Sequence, residues 1–284
     1  MGKEEMNILS LFDGISAGRL ALDRAGIEYD NYYASEIDKY AVKVAQTNYP
    51  DTIQLGNIEN WKDWNLPQID LILGGFCCQS FSRAGKGLGF EDSRGKLFFT
   101  FAEIIHTLKP KYFLAENVVM KKQNSELISE TLSVLPQRIN SSLFSAAQRD
   151  RLYWTDIPFE FPQTDKNLYF GDIKEHDADR KYIYSEKGLD WIRRHSERTG
   201  KKFRLWKDTD KVQCLEATMY KKYSAQRFFG IDDNGIRYIT PLECERAQTF
   251  NEGWTSSISD TQRYKCLGHA WTVDVIAHIL KGIK

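Results

Sequence analysis

The chain has 284 residues, 42% of them hydrophobic and 27% charged, with 39 basic side chains balanced by 39 acidic ones. That length can bury one large domain or a domain with a small companion, and the balance excludes a protein drawn to nucleic acid or membrane by its global field. No apolar run approaches the roughly 20 residues that span a bilayer, Met1–Glu5 lacks the apolar segment of a signal peptide, and five cysteines without a Cys-x-x-Cys pair argue against a disulfide framework or a zinc site.

In chain order, the apolar run Asn7 to Phe12 reads as a strand entering the turn Asp13-Gly14-Ile15-Ser16-Ala17-Gly18, with a helix over Arg19–Ala25 stopped by Gly26. Such a turn lets a cofactor approach the backbone and meet free N–H groups. It is not Gly-x-Gly-x-x-Gly and has no Walker lysine, which disfavours a dinucleotide or ATP phosphate. Tyr32–Ser35 predicts a second strand ending in Glu36, about 20 residues after the turn, where an acid suits ribose hydroxyls. A helix is expected over Lys39–Asn48, and Gly56-Asn57-Ile58 follows a third apolar patch. Ile69 to Leu73 reads as a buried strand that Gly74-Gly75 ends in a turn. That strand delivers Cys77 and Cys78 into a loop, where a thiolate can be a nucleophile, although a free cysteine is more often buried and inert.

Phe76 to Gly95 is long, glycine-rich and aperiodic, as in lids and binding loops. An amphipathic helix follows over Gly95–Leu108, then a strand Tyr112–Ala115 ending in Glu116-Asn117-Val118. Ile139–Phe144 and Leu152–Thr155 read as two further strands around Gln148-Arg149-Asp150-Arg151. Strand–helix alternation over 7–157 predicts a doubly wound, mostly parallel sheet. Residues 158–236 are polar and aromatic-rich, expected as a separate small region of strands and loops; Arg193 to Lys207 carries seven basic residues and one acid. Thr240-Pro241-Leu242-Glu243 starts a helix well, and Gly268 to Leu280 suggests a turn and a last helix.

In their order and spacing these pieces resemble the cytosine-C5 DNA methyltransferases of bacterial and phage type. Phe12 to Gly18 is similar to the methionine-side loop of that family's cofactor site, and Glu36 to its ribose-binding acid. Gly74 to Ser82 resembles the nucleophile loop, Gly89 to Gly95 with Leu97-Phe98-Phe99 the lid and its helix, and Glu116-Asn117-Val118 the acid motif. Arg149-Asp150-Arg151 resembles the paired-arginine motif, Arg237 to Gln248 the helix that supports recognition, and Gly268 to Val273 the last cofactor-side motif. Four positions depart from the family pattern: Cys77 stands where proline precedes the nucleophile, Ile37 where many members have an aromatic residue, Asn57 where many have Asp, and His269 where many have Asn.

The resemblance implies a Rossmann-like α/β methyltransferase sheet (1–157), a small, mostly strand-and-loop target recognition region (158–236) and a C-terminal segment returning to the catalytic domain (237–284). It implies transfer of a methyl group from S-adenosylmethionine to C5 of a cytosine flipped out of double-stranded DNA, leaving S-adenosylhomocysteine, without a metal. Cys78, Glu116, Asn117, Arg149 and Arg151 would do the chemistry. Cofactor contacts would come from Phe12 to Gly18, Glu36, Ile37, Asn57, Ile58, Gly75, Leu97, His269, Ala270 and Trp271. DNA would meet Gln79, Ser82, Arg94, Arg193, Arg194, Lys201, Lys202, Arg204, Lys221, Lys222 and Arg227. A cytoplasmic monomer is expected, with a cognate restriction endonuclease left open as a partner. The alternatives are a tRNA cytosine-C5 methyltransferase and a catalytically weak DNA-binding relative.

Overall fold

The computed structural model describes residues 6–76, 93–200, 203–221, 229–233 and 235–284. Cys77, Cys78, Gln79, Ser82, Lys201, Lys202, Lys222 and Arg227 lie outside them, as does most of the expected lid. Arg94 is described only as backbone in a helix. The elements run β1 (Asn7–Leu11), α1 (Ala17–Ala25), β2 (Asn31–Ser35), α2 (Lys39–Asn48), β3 (Ile53–Gln54), β4 (Leu71–Gly75), α3 (Ser93–Leu108), β5 (Tyr112–Val118), α4 (Lys122–Leu132), β6 (Gln137–Asn140) and β7 (Asp150–Thr155). Then come α5 (Phe170–Ile173), α6 (Glu186–Thr199), β8 (Arg204–Trp206), β9 (Phe229–Asp233), β10 (Gly235–Arg237), α7 (Pro241–Ala247), α8 (Asp260–His269) and α9 (Val273–Leu280).

The chain divides into two units. The first holds residues up to Asn140, Asp150–Pro162 and Val273–Lys284. Its sheet has seven strands in the order β3-β2-β1-β4-β5-β7-β6. The strands from β3 to β5 are parallel, and β7 runs antiparallel to both β5 and β6. Leu71, Ile72 and Leu73 are all fully buried, as a parallel strand covered on both faces requires. On one side of the core, Leu9, Leu11, Ile72 and Ala115 pack with Phe98, Phe101, Ile104 and Ile105 of α3 and with Ile128 and Leu132 of α4. The last helix, α9, packs along the first, α1, and Arg24 pairs with Asp274 across them at 2.7 Å.

Strand order reverses between β1 and β4: the chain adds β2 and β3 on one side of β1, then β4 and β5 on the other. Ligands bind in the crevice beyond the carboxyl ends of such strands. The register is specific: Ser35, Leu11, Gly74 and Ala115 lie in one row across β2, β1, β4 and β5. One residue further on, Glu36 and Phe12 follow the last residues of β2 and β1, while Gly75 of β4 still pairs with Glu116 inside β5.

Gly74 has a steric reason. A Cβ there would sit 2.3 Å from the Phe101 ring, which is held in the core against Phe76. We expect Gly74→Ala to overpack this point by about 1–3 kcal/mol and to lower the melting temperature by roughly 2–12 °C, read by thermal unfolding.

The second unit holds Ser141–Arg149 and Gln163–Thr272. The residues before Arg149 bridge to the middle of the unit: Val212 N–H donates to Ala146 O at 2.7 Å and Gln148 N–H to Val212 O at 2.8 Å. Strands β8 and β9 pair in parallel, β9 and β10 antiparallel. The unit also holds the 14-residue helix α6, capped by Ser185, whose side chain accepts from Gly188 N–H. Helix α7 begins as its sequence predicts, with Thr240 and Glu243 in a reciprocal capping box and Pro241 at its first position. Glu243 also pairs with Arg237 at 2.7 Å, both almost wholly buried.

Candidate active site

The loop after β1 is held in an unusual backbone. Phe12, Gly14 and Ser16 have φ of 58°, 61° and 60°. Two of these three are not glycine, so the surroundings must hold them there. Asp13 N–H donates to Ser35 O, and Gly14 N–H donates to Glu36 Oε2 at 2.9 Å. The Asp13 carboxylate is buried and accepts from Tyr32 Oη at 2.7 Å and Ser16 Oγ at 2.6 Å. Burial raises the Asp13 carboxyl above its ordinary range, against the pull of these hydrogen bonds. Ile15, Ser16, Ala17 and Gly18 are buried too, so this stretch offers a ligand backbone more than side chains.

A carboxyl whose pKa is raised by folding binds its proton more tightly in the folded state. Stability then drains as pH rises from the unfolded value of about 3.9 to the raised folded one, and levels off above it. Asp13→Asn has no proton to lose and keeps an acceptor for Tyr32. We expect the melting temperature of wild type relative to Asp13→Asn to fall as pH rises across this window, measured by paired melts.

Glu36 takes three backbone donors. Oε1 accepts from Ile37 N–H at 2.7 Å and Asp38 N–H at 2.8 Å, and Oε2 accepts from Gly14. Burial raises its carboxyl, outweighing those bonds. Ile37, next along, is 74% exposed, an apolar side chain left open to solvent beside a polar loop. Asn57 caps a short 3-10 turn by accepting from Glu59 N–H, and Ile58 beneath it is buried. Ser35 Oγ donates to Gly56 O at 2.8 Å, tying that turn to β2. An acid with strand-end backbone, an open apolar side chain and an amide suit the ribose and adenine of an adenosyl group, so the residues fit the cofactor the sequence implies. Leu97 is half-buried in α3.

Gly75 of β4 is paired with Glu116 of β5. Asn117 is fully buried; its Nδ2 donates to Phe76 O at 3.0 Å and its Oδ1 accepts from Val118 N–H. It therefore fixes the chain two residues before Cys78. Glu116 forms an ion pair with Arg151 at 2.9 Å, with side chains only 8% and 11% exposed. The guanidinium holds the Glu116 side chain in place by a charge-assisted contact.

Arg149 belongs to the second unit, where its guanidinium donates to Gly268 O at 3.3 Å and His269 O at 3.4 Å. Those two residues close α8, so the turn expected from Gly268 begins two residues later, at Ala270 and Trp271. His269 is exposed and Ala270 buried. Sequence reasoning missed Gln248 as a site-building residue: it binds Leu267 O, Ala270 O and Thr272 Oγ1. Its place in Arg-x-x-Thr-Pro-x-Glu-x-x-Arg-x-Gln marked a helix, not a partner.

The expected DNA residues that are described do not form one cluster of contacts. Arg193 pairs with Asp190, and Arg194 Nε donates to Asp190 O on the same helix. Arg204 and Lys221 are exposed. Among the described residues no group of His, Cys, Asp and Glu could hold a metal ion, and no helix is long and apolar enough to cross a membrane.

Known proteins are similar to this chain over most of its length. The family model for C-5 cytosine-specific DNA methylase matches residues 6–149 and 121–284. The type II methyltransferase M1.ScrFI of Lactococcus lactis subsp. cremoris is 33% identical over 95% of this chain and 75% of its own. M.NlaX of Neisseria lactamica, also a type II methyltransferase, is 31% identical over 98% of this chain and 96% of its own. Among solved structures, the methyltransferase EhMeth of Entamoeba histolytica superposes with a TM-score of 0.75 at 17% identity, covering 99% and 98% of the two chains. Spodoptera frugiperda DNMT2, in mutant form, gives 0.71 at 23% identity over 98% and 99%. At those identities the two structures speak for the Rossmann-like fold alone, but the family model and the relatives go further: the chain belongs to the C-5 cytosine-specific DNA methylases and is a methyltransferase.

Proposed function

We propose that the protein methylates C5 of a cytosine flipped out of double-stranded DNA, through a covalent adduct on Cys78. The observation that carries this is the register of β4 against β5. It starts the nucleophile loop beside Glu116, with Asn117 gripping the carbonyl of Phe76. Carbon 5 of cytosine is a weak nucleophile. Addition of the Cys78 thiolate to C6 moves electron density onto C5 and N3. Glu116, oriented by Arg151, holds a proton at N3 and stabilises that charge. S-adenosylmethionine, when bound by the Phe12–Gly18 loop, Glu36, Ile37 and Asn57, supplies the methyl group. Loss of the C5 proton then expels the thiolate and restores the ring. The base has to leave the helix to reach these groups, at a cost of a few kcal/mol.

Arg193, Arg194, Lys201, Lys202 and Arg204 are proposed phosphate contacts, and Lys221, Lys222 and Arg227 proposed contacts at the groove edge. A cognate restriction endonuclease is a partner this reading leaves open, since the relatives above are named type II methyltransferases. The test is mass spectrometry of nucleosides after incubation with S-adenosylmethionine and either DNA or tRNA. We expect 5-methylcytosine in the DNA arm, and bisulfite sequencing of that product gives the site. A product in the tRNA arm alone, or in neither arm while S-adenosylhomocysteine still binds, would overturn the proposal.

A further inference from the structure

Arg149 and Arg151 stand two apart, the spacing that shares a strand face. The structure separates their tasks. Arg151 lies in β7 and pairs with Glu116, whereas Arg149 precedes β7 and is 95% withdrawn from solvent, being 5% exposed. Its two terminal nitrogens donate to the carbonyls of Gly268 and His269, the last residues of α8. Carbonyls at a helix end lack intrahelical partners and carry the negative end of the dipole, so a guanidinium is well matched to them. Gln248 takes the carbonyls on either side: Nε2 donates to Leu267 O at 3.1 Å and Ala270 O at 3.2 Å, while Thr272 Oγ1 donates to Gln248 Oε1 at 2.7 Å. Four consecutive carbonyls are thus tied by two side chains.

The same end of α8 is pressed against the segment that follows Val212. A Cβ on Gly268 would lie 2.2 Å from Ala217 N and 2.3 Å from the Glu216 carbonyl carbon. Arg149 also reaches Cys214 Sγ at 3.7 Å, and the residues just before it carry the bridge between Ala147 and Val212. One guanidinium therefore joins the entry to β7, the 212–217 segment and the turn 268–270.

We infer that Arg149 is a positioning residue: with Gln248 it sets the His269-Ala270-Trp271 turn against the 212–217 segment, and cofactor affinity depends on it before any DNA is present. This rests on the reading of 269–271 as cofactor contacts. A base-contacting arginine would make the opposite prediction, a loss of turnover with cofactor binding intact.

The experiment is calorimetric titration of S-adenosylhomocysteine into wild type, Arg149→Gln and Arg149→Lys without DNA, with steady-state kinetics beside it. We expect Arg149→Gln to weaken binding about 10- to 100-fold and Arg149→Lys to recover part of that loss. KM for S-adenosylmethionine should rise by more than kcat falls. Binding within twofold of wild type, with kcat collapsed, would overturn the inference. Hydrogen exchange on the unliganded proteins separates this from the cofactor reading. If wild type fails to bind S-adenosylhomocysteine, that reading fails, while faster exchange in Arg149→Gln at both 212–217 and 267–272 still supports the tether; unchanged exchange at these amides overturns it.

Discussion

Cys78→Ala abolishes methyl transfer and Cys77→Ala does not. Both cysteines lie beyond the last residue that Asn117 anchors, Phe76. Gly74-Gly75 on one side and Gln79-Ser80-Phe81-Ser82 on the other hold the family register with no insertion, which makes Cys78 the matched nucleophile. Without a thiolate at C6 there is no enamine and C5 stays inert, so the expected loss is on the order of 10⁴-fold or more. Cys77 occupies a place where proline would fix φ, and its side chain is not needed for the addition. The measurement is transfer of labelled methyl to DNA by both variants. A second readout uses DNA with fluorine at C5 of cytosine, which has no proton to lose and so leaves the adduct intact. We expect that adduct with Cys77→Ala and none with Cys78→Ala. Equal loss in both variants would break the assignment.

Glu116→Gln should cut kcat by about 10²- to 10⁴-fold with little change in S-adenosylhomocysteine binding. The glutamine keeps the shape of the side chain and an oxygen for Arg151, so the substitution removes the charge and the transferable proton. Glu116→Ala is a different experiment. It leaves the Arg151 guanidinium, which is 11% exposed, without its acid, and losing one partner of a buried pair costs about 3–5 kcal/mol. A fall in melting temperature for Ala and not for Gln, with both inactive, separates the chemical from the structural contribution. Turnover by Glu116→Gln within a few-fold of wild type would remove Glu116 from the reaction.

Much of the catalytic unit was legible in the sequence because its signals are local. Asp38 caps α2, and the helix ends at Tyr49-Pro50 as its punctuation says. Gly26 stops α1 at φ 72° with its N–H on Leu22 and Asp23 carbonyls. The acid after β2 could be placed because a parallel strand delivers its last residue to one edge, whereas Glu116, expected just past a strand Tyr112–Ala115, lies inside β5, which runs on to Val118. What was illegible is non-local. Nothing in the run around Asp150–Thr155 says that β7 enters between β5 and β6 antiparallel, because its partners on both sides are set by pairing with other strands. Helix α6 was obscured by its own polarity, since Gly188 and Ile192 are its buried residues. The partners of Arg149 lie about 120 residues further on, and no spacing rule links them. In the sequence Asp13 is one residue of a turn, and tertiary packing alone buries its carboxylate under Tyr32.

The pairing of α1 with α9 has a consequence for how the chain is made. The first helix is complete at Ala25, and the helix that packs along it starts at Val273. At 5–20 residues per second, a ribosome needs roughly 10–50 s to synthesise the intervening stretch of about 250 residues. Through that interval α1 lacks the helix that packs along it, and the catalytic unit closes only after the recognition region has been synthesised. Nascent chains stalled before residue 273 should therefore depend on holding chaperones, and the emergence of α9 from the ribosome should be the event that releases them.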